Sequence, residues 1–67
     1  MKIGDLIRWV HYEEVQYVPT TSERIGIIID KGESAAYAES VFVVDTKGEK
    51  IILSEYNETI KVINESR

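Results

Sequence analysis

The chain has no cysteine, so neither a disulfide nor a thiolate metal site can form. Small secreted domains usually depend on such cross-links for stability, and their absence favours a reducing compartment. The sequence begins "MKIGDLIR", which is charged within its first eight residues and is unlike a secretory signal peptide. We therefore expect a cytoplasmic protein.

Long apolar runs and clusters of like charge are also missing. No apolar run approaches the roughly 20 residues that a membrane-spanning helix needs, so we expect no membrane partner. The formal net charge is −4, and the 8 basic residues are scattered along the chain. Because nucleic-acid binding needs clustered Lys and Arg to neutralise phosphates, we expect no nucleic-acid partner.

The sequence contains no recognisable pattern for catalysis or for a cofactor. The single histidine, His11, lies near Glu13 and Glu14, but this spacing matches no metal motif. The serines lack the context of a nucleophile elbow or a triad, and the 4 glycines are too dispersed for a phosphate-binding loop. We predict no enzymatic activity, no cofactor, no metal ion and no small-molecule substrate.

What the sequence does contain is the pattern of a single all-β domain spanning residues 1–67. Ile and Val are grouped into short runs, and residues typical of turns separate these runs. We predict five strands, at residues 2–10, 25–30, 40–45, 50–54 and 60–64. Residues 35–39 fit either one helical turn or an extension of the third strand, and the strand is favoured. Residues 65–67 are expected to fray.

The predicted connections differ in length and in chemistry. Residues 11–24 are polar and aromatic and contain the only proline, so we predict a long loop there. Residues 46–49 form a tight turn in which Gly48 takes a positive φ. Residues 55–59 are too few for an α-helix and predict one 3₁₀ turn. Gly26, within the second strand, indicates a close approach of another backbone or a bulge.

The predicted core comes from the apolar positions of the five strands. Ile27 is placed in this core, so Ile27→Ala is expected to reduce the free energy of unfolding by about 2–5 kcal/mol. Two roles are left open for Trp9, the only tryptophan: it either caps the core or is presented to a partner. The full predicted core is Ile3, Leu6, Ile7, Ile27, Ile29, Val41, Val43, Ile52, Ile60 and Val62.

Three segments resemble those of SH3-like small barrels, and together they cover nearly the whole chain. "KIGDLIR" at residues 2–8 looks like the xxGDLVR start of such barrels. "RIGIII" at residues 24–29 looks like the G-x-V pattern also seen in KOW-type modules. "VVDTKGEKIILSEYNETIKVI" at residues 43–63 looks like their usual ending. The resemblance implies an all-β, five-stranded SH3-like small barrel with a long first loop and a 3₁₀ turn before the last strand.

Short stand-alone proteins of this kind are common among the small proteins of tailed phages and their hosts. The resemblance therefore implies a non-catalytic protein-interaction or structural accessory module, encoded by a phage and located in the host cytoplasm or the virion. Two alternatives remain open: a KOW-like nucleic-acid or ribosome-associated module, and a small SH3-like subunit of a larger enzyme.

Four aromatic residues are predicted to form a contact surface for a protein partner or for another copy of the chain. Tyr and Trp are the residues most enriched at binding hot spots. The predicted long loop also holds Val15 and Val18, which so small a barrel cannot bury completely. The predicted contact residues are Trp9, Tyr12, Tyr17 and Tyr56.

Overall fold

The computed structural model describes residues 1–64, which form five antiparallel strands in one sheet. The strand order across the sheet is β4-β3-β2-β1-β5, and no helix occurs within residues 1–64. The predicted all-β class is confirmed, whereas the predicted fraying of residues 65–67 lies outside the described residues. The strands are β1 (Leu6–Val15), β2 (Val18–Gly32), β3 (Ser40–Asp45), β4 (Lys50–Ser54) and β5 (Lys61–Asn64).

The predicted closure into a barrel is wrong, because the sheet is open. β4 and β5 lie at its two edges and do not pair with each other in the described part of the chain. β5 has only four residues, and it pairs with β1 over Leu6, Ile7 and Arg8 with a register shift between the first two. Such short edge strands expose few unpaired backbone groups, so the sheet needs no closure to protect them.

The predicted long loop at residues 11–24 is also wrong, because these residues continue β1 and β2 as a hairpin. The two strands pair from Leu6↔Ile27 to Val15↔Val18, and only Gln16 and Tyr17 connect them. Cross-strand pairing among the Tyr, Val and Thr residues of this segment outweighs its polar composition.

The outer half of this hairpin extends beyond the rest of the sheet. β5 reaches β1 only as far as Arg8, and β3 reaches β2 only from Gly26 onward. Residues 10–25, which we call the arm, therefore pair only with each other. The chain is correspondingly elongated, with extents of 41 × 25 × 22 Å.

The core lies on one face of the sheet, and it is only partly the predicted one. Ile60 packs against this core half-buried, as do Met1 and Ile51. Trp9 has no exposed surface, so it takes the first of its two possible roles. The buried core residues are Ile7, Trp9, Ile28, Val41, Val43 and Leu53, which confirms Ile7, Val41 and Val43.

Most of the wrong core predictions share one cause, which is a choice of face; the exceptions are Ile3, which precedes β1, and Val62, which pairs with the buried Ile7 but lies on the edge strand β5. On β2, Gly26 and Ile28 point to the core, so Ile27 points to the opposite face. A run that is apolar at every position does not reveal which half is buried, and a shift of one residue exchanges the faces. Leu6 is only half-buried, and the predicted core residues that are exposed are Ile3, Ile27, Ile29, Ile52 and Val62.

Gly26 confirms the predicted close approach of backbone. A Cβ atom at this position would lie 2.6 Å from Cγ1 of Val43 and 2.6 Å from the carbonyl oxygen of Val44. The β3–β4 turn also has its predicted form, with a φ of 82° at Gly48. The Asp45 carboxylate closes this turn, since its Oδ1 accepts the N–H groups of Lys47 and Glu49, both at 2.9 Å.

The remaining two connections do not confirm the predictions. Residues 55–60 form two successive turns, in which Asn57 N–H donates to the Ser54 carbonyl and Ile60 N–H to the Asn57 carbonyl. No 3₁₀ helix is present in this segment. Residues 35–39 are neither strand nor helical turn but bends. The Ser34 hydroxyl organises them by accepting the N–H of Tyr37 at 3.1 Å.

Candidate protein-contact surface

The structure separates the four aromatic residues that the sequence predicts as a contact surface. Trp9 is fully buried, so its side chain is not available to a partner. Tyr12 and Tyr17 are exposed on the arm, where Tyr12 lies opposite Thr21 of β2. Tyr56 lies just after β4. The end of β4 pairs with Ser40 of β3, which lies beside the end of β2 that is farthest from the arm. Of the four, only Tyr12 and Tyr17 therefore lie on the arm with exposed side chains.

Tyr17 occupies the tip of the arm and is the most exposed large hydrophobic residue within residues 1–64, at 93%. The φ angles of Gln16 and Tyr17 are 49° and 67°, the pattern of a type I′ turn. Such turns favour Asn-Gly, because residues other than Gly, Asn and Asp are disfavoured at positive φ by about 1–2 kcal/mol. Backbone strain of this kind is more common at functional positions than elsewhere.

The arm exposes further apolar residues on both of its faces. Val10 and Tyr12 lie on the face that continues the outer side of the sheet, away from the core, whereas Val15 lies on the face that continues the core side. Val18 follows the turn and is also exposed. Since a two-stranded hairpin is at best marginally stable in water, this arm needs support at its base or from another molecule.

Arg24 provides support at the base of the arm. Its Nη2 lies 3.3 Å from Glu13 Oε1 on the neighbouring strand. Its Nη1 lies 3.5 Å from Asp45 Oδ2 and 3.4 Å from Glu49 Oε2, which belong to the region of the β3–β4 turn. The side chain of Arg24 is only 24% exposed, so water screens these contacts less than at an open surface. The cluster ties the arm to the rest of the sheet.

The pKa of Asp45 reflects this arrangement. The N–H of Glu49 is the largest cause that holds the pKa of this carboxyl below its usual range. Desolvation opposes the effect, while the N–H of Lys47 and the charge of Arg24 reinforce it. The charged form of Asp45 is therefore the one that this turn and the base of the arm require.

Tyr56 is held by a different contact. Its hydroxyl donates a hydrogen bond to Oε2 of Glu39, which raises the pKa of the Tyr56 phenol. The N–H of Glu55 also donates to the carbonyl of Glu39, at 3.0 Å. Tyr56 thus fastens the β4–β5 connection to the segment before β3, which gives it a structural role of its own.

A second exposed surface was not foreseen from the sequence. The sheet face opposite the core, which we call the outer face, carries a row formed by Leu6, Ile27 and Val44 on three adjacent strands. An apolar groove of about 350 Å³ runs along this row, where Ile29 also lines it. Only the unbroken apolar run at residues 27–29 could have indicated this surface. The remaining apolar side chains of the outer face are Ile25, Phe42 and Ile52.

The possible metal ligands of the sequence are not assembled into a site. Nε2 of His11 and Oε1 of Glu13 lie 3.1 Å apart, but Glu14 points to the other face of β1. Within residues 1–64, no group of three or more His, Cys, Asp or Glu side chains could hold a metal ion. The same residues contain no helix long and apolar enough to cross a bilayer.

No protein-family model, no curated protein and no solved structure matches this chain.

Proposed function

We propose that this protein is a non-catalytic protein-interaction or structural accessory module, and that the arm is its contact element. The observation that carries the proposal is Tyr17, an aromatic side chain almost fully exposed at the tip of a turn that glycine would stabilise better. The SH3-like resemblance, an origin in a phage, and a location in the host cytoplasm or the virion belong to the same proposal. The five antiparallel strands and the tight β3–β4 turn support that resemblance.

The chemistry of the arm indicates the kind of partner that would bind it. Tyr side chains offer a large contact area with only two rotatable angles, so ordering them on binding costs little entropy. Glu14 and Glu23 lie on the same face of the arm as Tyr12. A partner protein with an apolar pocket bordered by basic residues would therefore fit this surface.

The two alternative functions have less support. A KOW-like nucleic-acid module needs basic side chains that are available to phosphates. Here Arg8 lies 3.5 Å from Glu23, Lys31 lies 2.9 Å from Glu55, and Arg24 is surrounded by carboxylates. A role as the small subunit of an enzyme is a special case of the proposal, in which the partner is the catalytic subunit.

The proposal is tested by capturing partners from the native cell and then reconstituting binding with purified proteins. The Tyr12→Ala/Tyr17→Ala variant should keep its melting temperature and bind the purified partner at least about tenfold more weakly, as expected for hot-spot residues. Tyr37→Ala is the matched control, because this tyrosine is also exposed but lies outside the arm. Equal loss in both variants, or unfolding of the double variant with unchanged binding per folded molecule, would contradict the proposal.

A further inference from the structure

We propose that a second copy of this chain covers the outer face, so that two sheets pack face to face in a symmetric dimer. The contact is centred on the row formed by Leu6, Ile27 and Val44. This inference goes beyond the proposed function, because it concerns the face of the sheet and not the tip of the arm.

The sheet is apolar on both faces, although the described chain covers only one of them. A one-layer antiparallel sheet normally exposes a polar face to water. Here Ile27 is 47% exposed, and Ile29 and Ile52 are each 45% exposed. An exposed apolar face of this kind marks an interaction site, and a second sheet packed against it would bury its side chains.

The size of the outer face fits a reversible dimer. Four strands at about 4.8 Å spacing and about six residues at 3.3 Å rise define a patch of roughly 19 × 20 Å. Two such patches, treated as flat, bury about 800 Å² in total. The accessible area of the side chains is larger than this flat area. Stable interfaces bury about 1,200–2,000 Å² in total, so this contact lies below that range, where weak and reversible interfaces are found. We therefore expect a dissociation constant in the micromolar range.

The charges that border the outer face favour a second copy as the occupant. Arg8, Lys50 and Lys61 are basic, whereas Glu23 and Asp30 are acidic, so the border has both signs although the chain carries a net charge of −4. Arg8 and Glu23 lie 3.5 Å apart within one chain. The charges that a twofold arrangement can bring against each other are therefore those of Lys50, Lys61 and Asp30. An anionic membrane would require a strongly basic border.

The shape of the face also argues against a small ligand. Sites for small molecules enclose most of the ligand surface. The groove beside Ile27 is lined by side chains that are themselves largely open to solvent, such as Ile29. Such a groove suits the side chains of a facing sheet, because two sheets pack with their side chains interdigitated at about 10 Å.

Sedimentation equilibrium over a range of concentrations tests the proposal. The wild-type protein should change from the mass of one chain to that of two, and Ile27→Lys should raise the dissociation constant at least about tenfold. Val15→Lys is the matched control, since Val15 is 52% exposed but lies on the other face of the hairpin. Both variants change the net charge of the chain by the same amount, one positive charge. Ile52→Lys repeats the test on β4, should Ile27→Lys reduce the content of folded protein.

The outcomes separate this proposal from the others. In a sample that mixes isotope-labelled and unlabelled chains, nuclear Overhauser contacts between copies should involve the methyl groups of Leu6, Ile27 and Val44. A wild-type chain that stays monomeric up to about 1 mM overturns the proposal, as does a dimer that Ile27→Lys and Val15→Lys weaken equally. Binding of a monomeric chain to anionic lipid vesicles, lost in Ile27→Lys, would assign the face to a membrane instead. None of these results depends on whether Tyr17 binds a partner.

Discussion

Arg24 and Asp45 form an ion pair between the base of the arm and the β3–β4 turn, with Nη1 and Oδ2 separated by 3.5 Å. The same carboxylate accepts two backbone N–H groups through its other oxygen. One charged side chain therefore closes a turn and, together with Glu49, anchors the arm to that turn.

The lowered pKa of Asp45 predicts a pH-dependent stability. Because this carboxyl binds its proton less readily in the folded chain than in the unfolded chain, its contribution is complete above about pH 4 and is lost as the pH falls through the folded-state pKa. Asp45→Asn should lower the free energy of unfolding near neutral pH. In urea titrations, the difference between wild type and variant should shrink toward pH 2. An equal difference at both pH values would show that the carboxylate charge is unimportant.

The two neighbouring isoleucines of β2 should respond very differently to truncation. Ile28 has no exposed surface, so Ile28→Ala should reduce the free energy of unfolding by about 2–5 kcal/mol. Ile27→Ala should cost clearly less, because its side chain is half in water. Urea unfolding of both variants, at concentrations where the chain is monomeric, measures the contrast. Equal costs would contradict the assignment of the two faces.

Gly26 should not tolerate a side chain. A Cβ atom there would overlap with Val43 and with the backbone of Val44, which the β2–β3 ladder holds in place. Gly26→Ala should therefore destabilise the fold by about 1–3 kcal/mol, as overpacked positions do. Thermal unfolding followed by circular dichroism measures the effect, and an unchanged melting temperature would show that the two strands separate easily.

The turn at the tip of the arm should be easy to stabilise at the expense of binding. Gln16→Asn/Tyr17→Gly installs the residues that a type I′ turn prefers, and it should raise the free energy of unfolding by about 1 kcal/mol. The same variant should lose the proposed partner. Gln16→Asn alone is the control, which should gain some stability and keep its partner because Tyr17 remains. Retained binding by the double variant would remove Tyr17 from the contact.

Nucleic-acid binding should be absent under physiological conditions. The basic side chains of Arg8, Arg24 and Lys31 all lie close to carboxylates, and the chain carries a net charge of −4, which opposes binding to phosphates. Titration of the protein with duplex DNA and with structured RNA should show no submicromolar binding. A submicromolar affinity that falls steeply with added salt would instead favour the KOW-like alternative.

Local chemistry in the sequence was sufficient for the fold class and for part of the strand pattern. β3 and β4 occupy their predicted residues, because each is a β-branched run bounded by turn residues. The tight turn between them, with Gly48 at positive φ, was also predictable from neighbouring residues alone. Gly26 marked a close approach of backbone for the same reason, since only glycine fits there.

Tertiary structure alone decided which face of each strand is buried and how residues 11–24 are arranged. Ile27 and Ile28 are chemically identical, and only their partners across the sheet place one in water and the other in the core. The polar segment before Arg24 forms a hairpin because β1 and β2 pair over its length. The stabilisation from this pairing depends on both strands together, so no short stretch of sequence reveals it. The same pairing set Trp9 inward and Tyr12 outward, because side chains alternate strictly along a strand and the register determines the face of each. It also placed Tyr17 in the turn that joins the two strands, where its side chain is exposed.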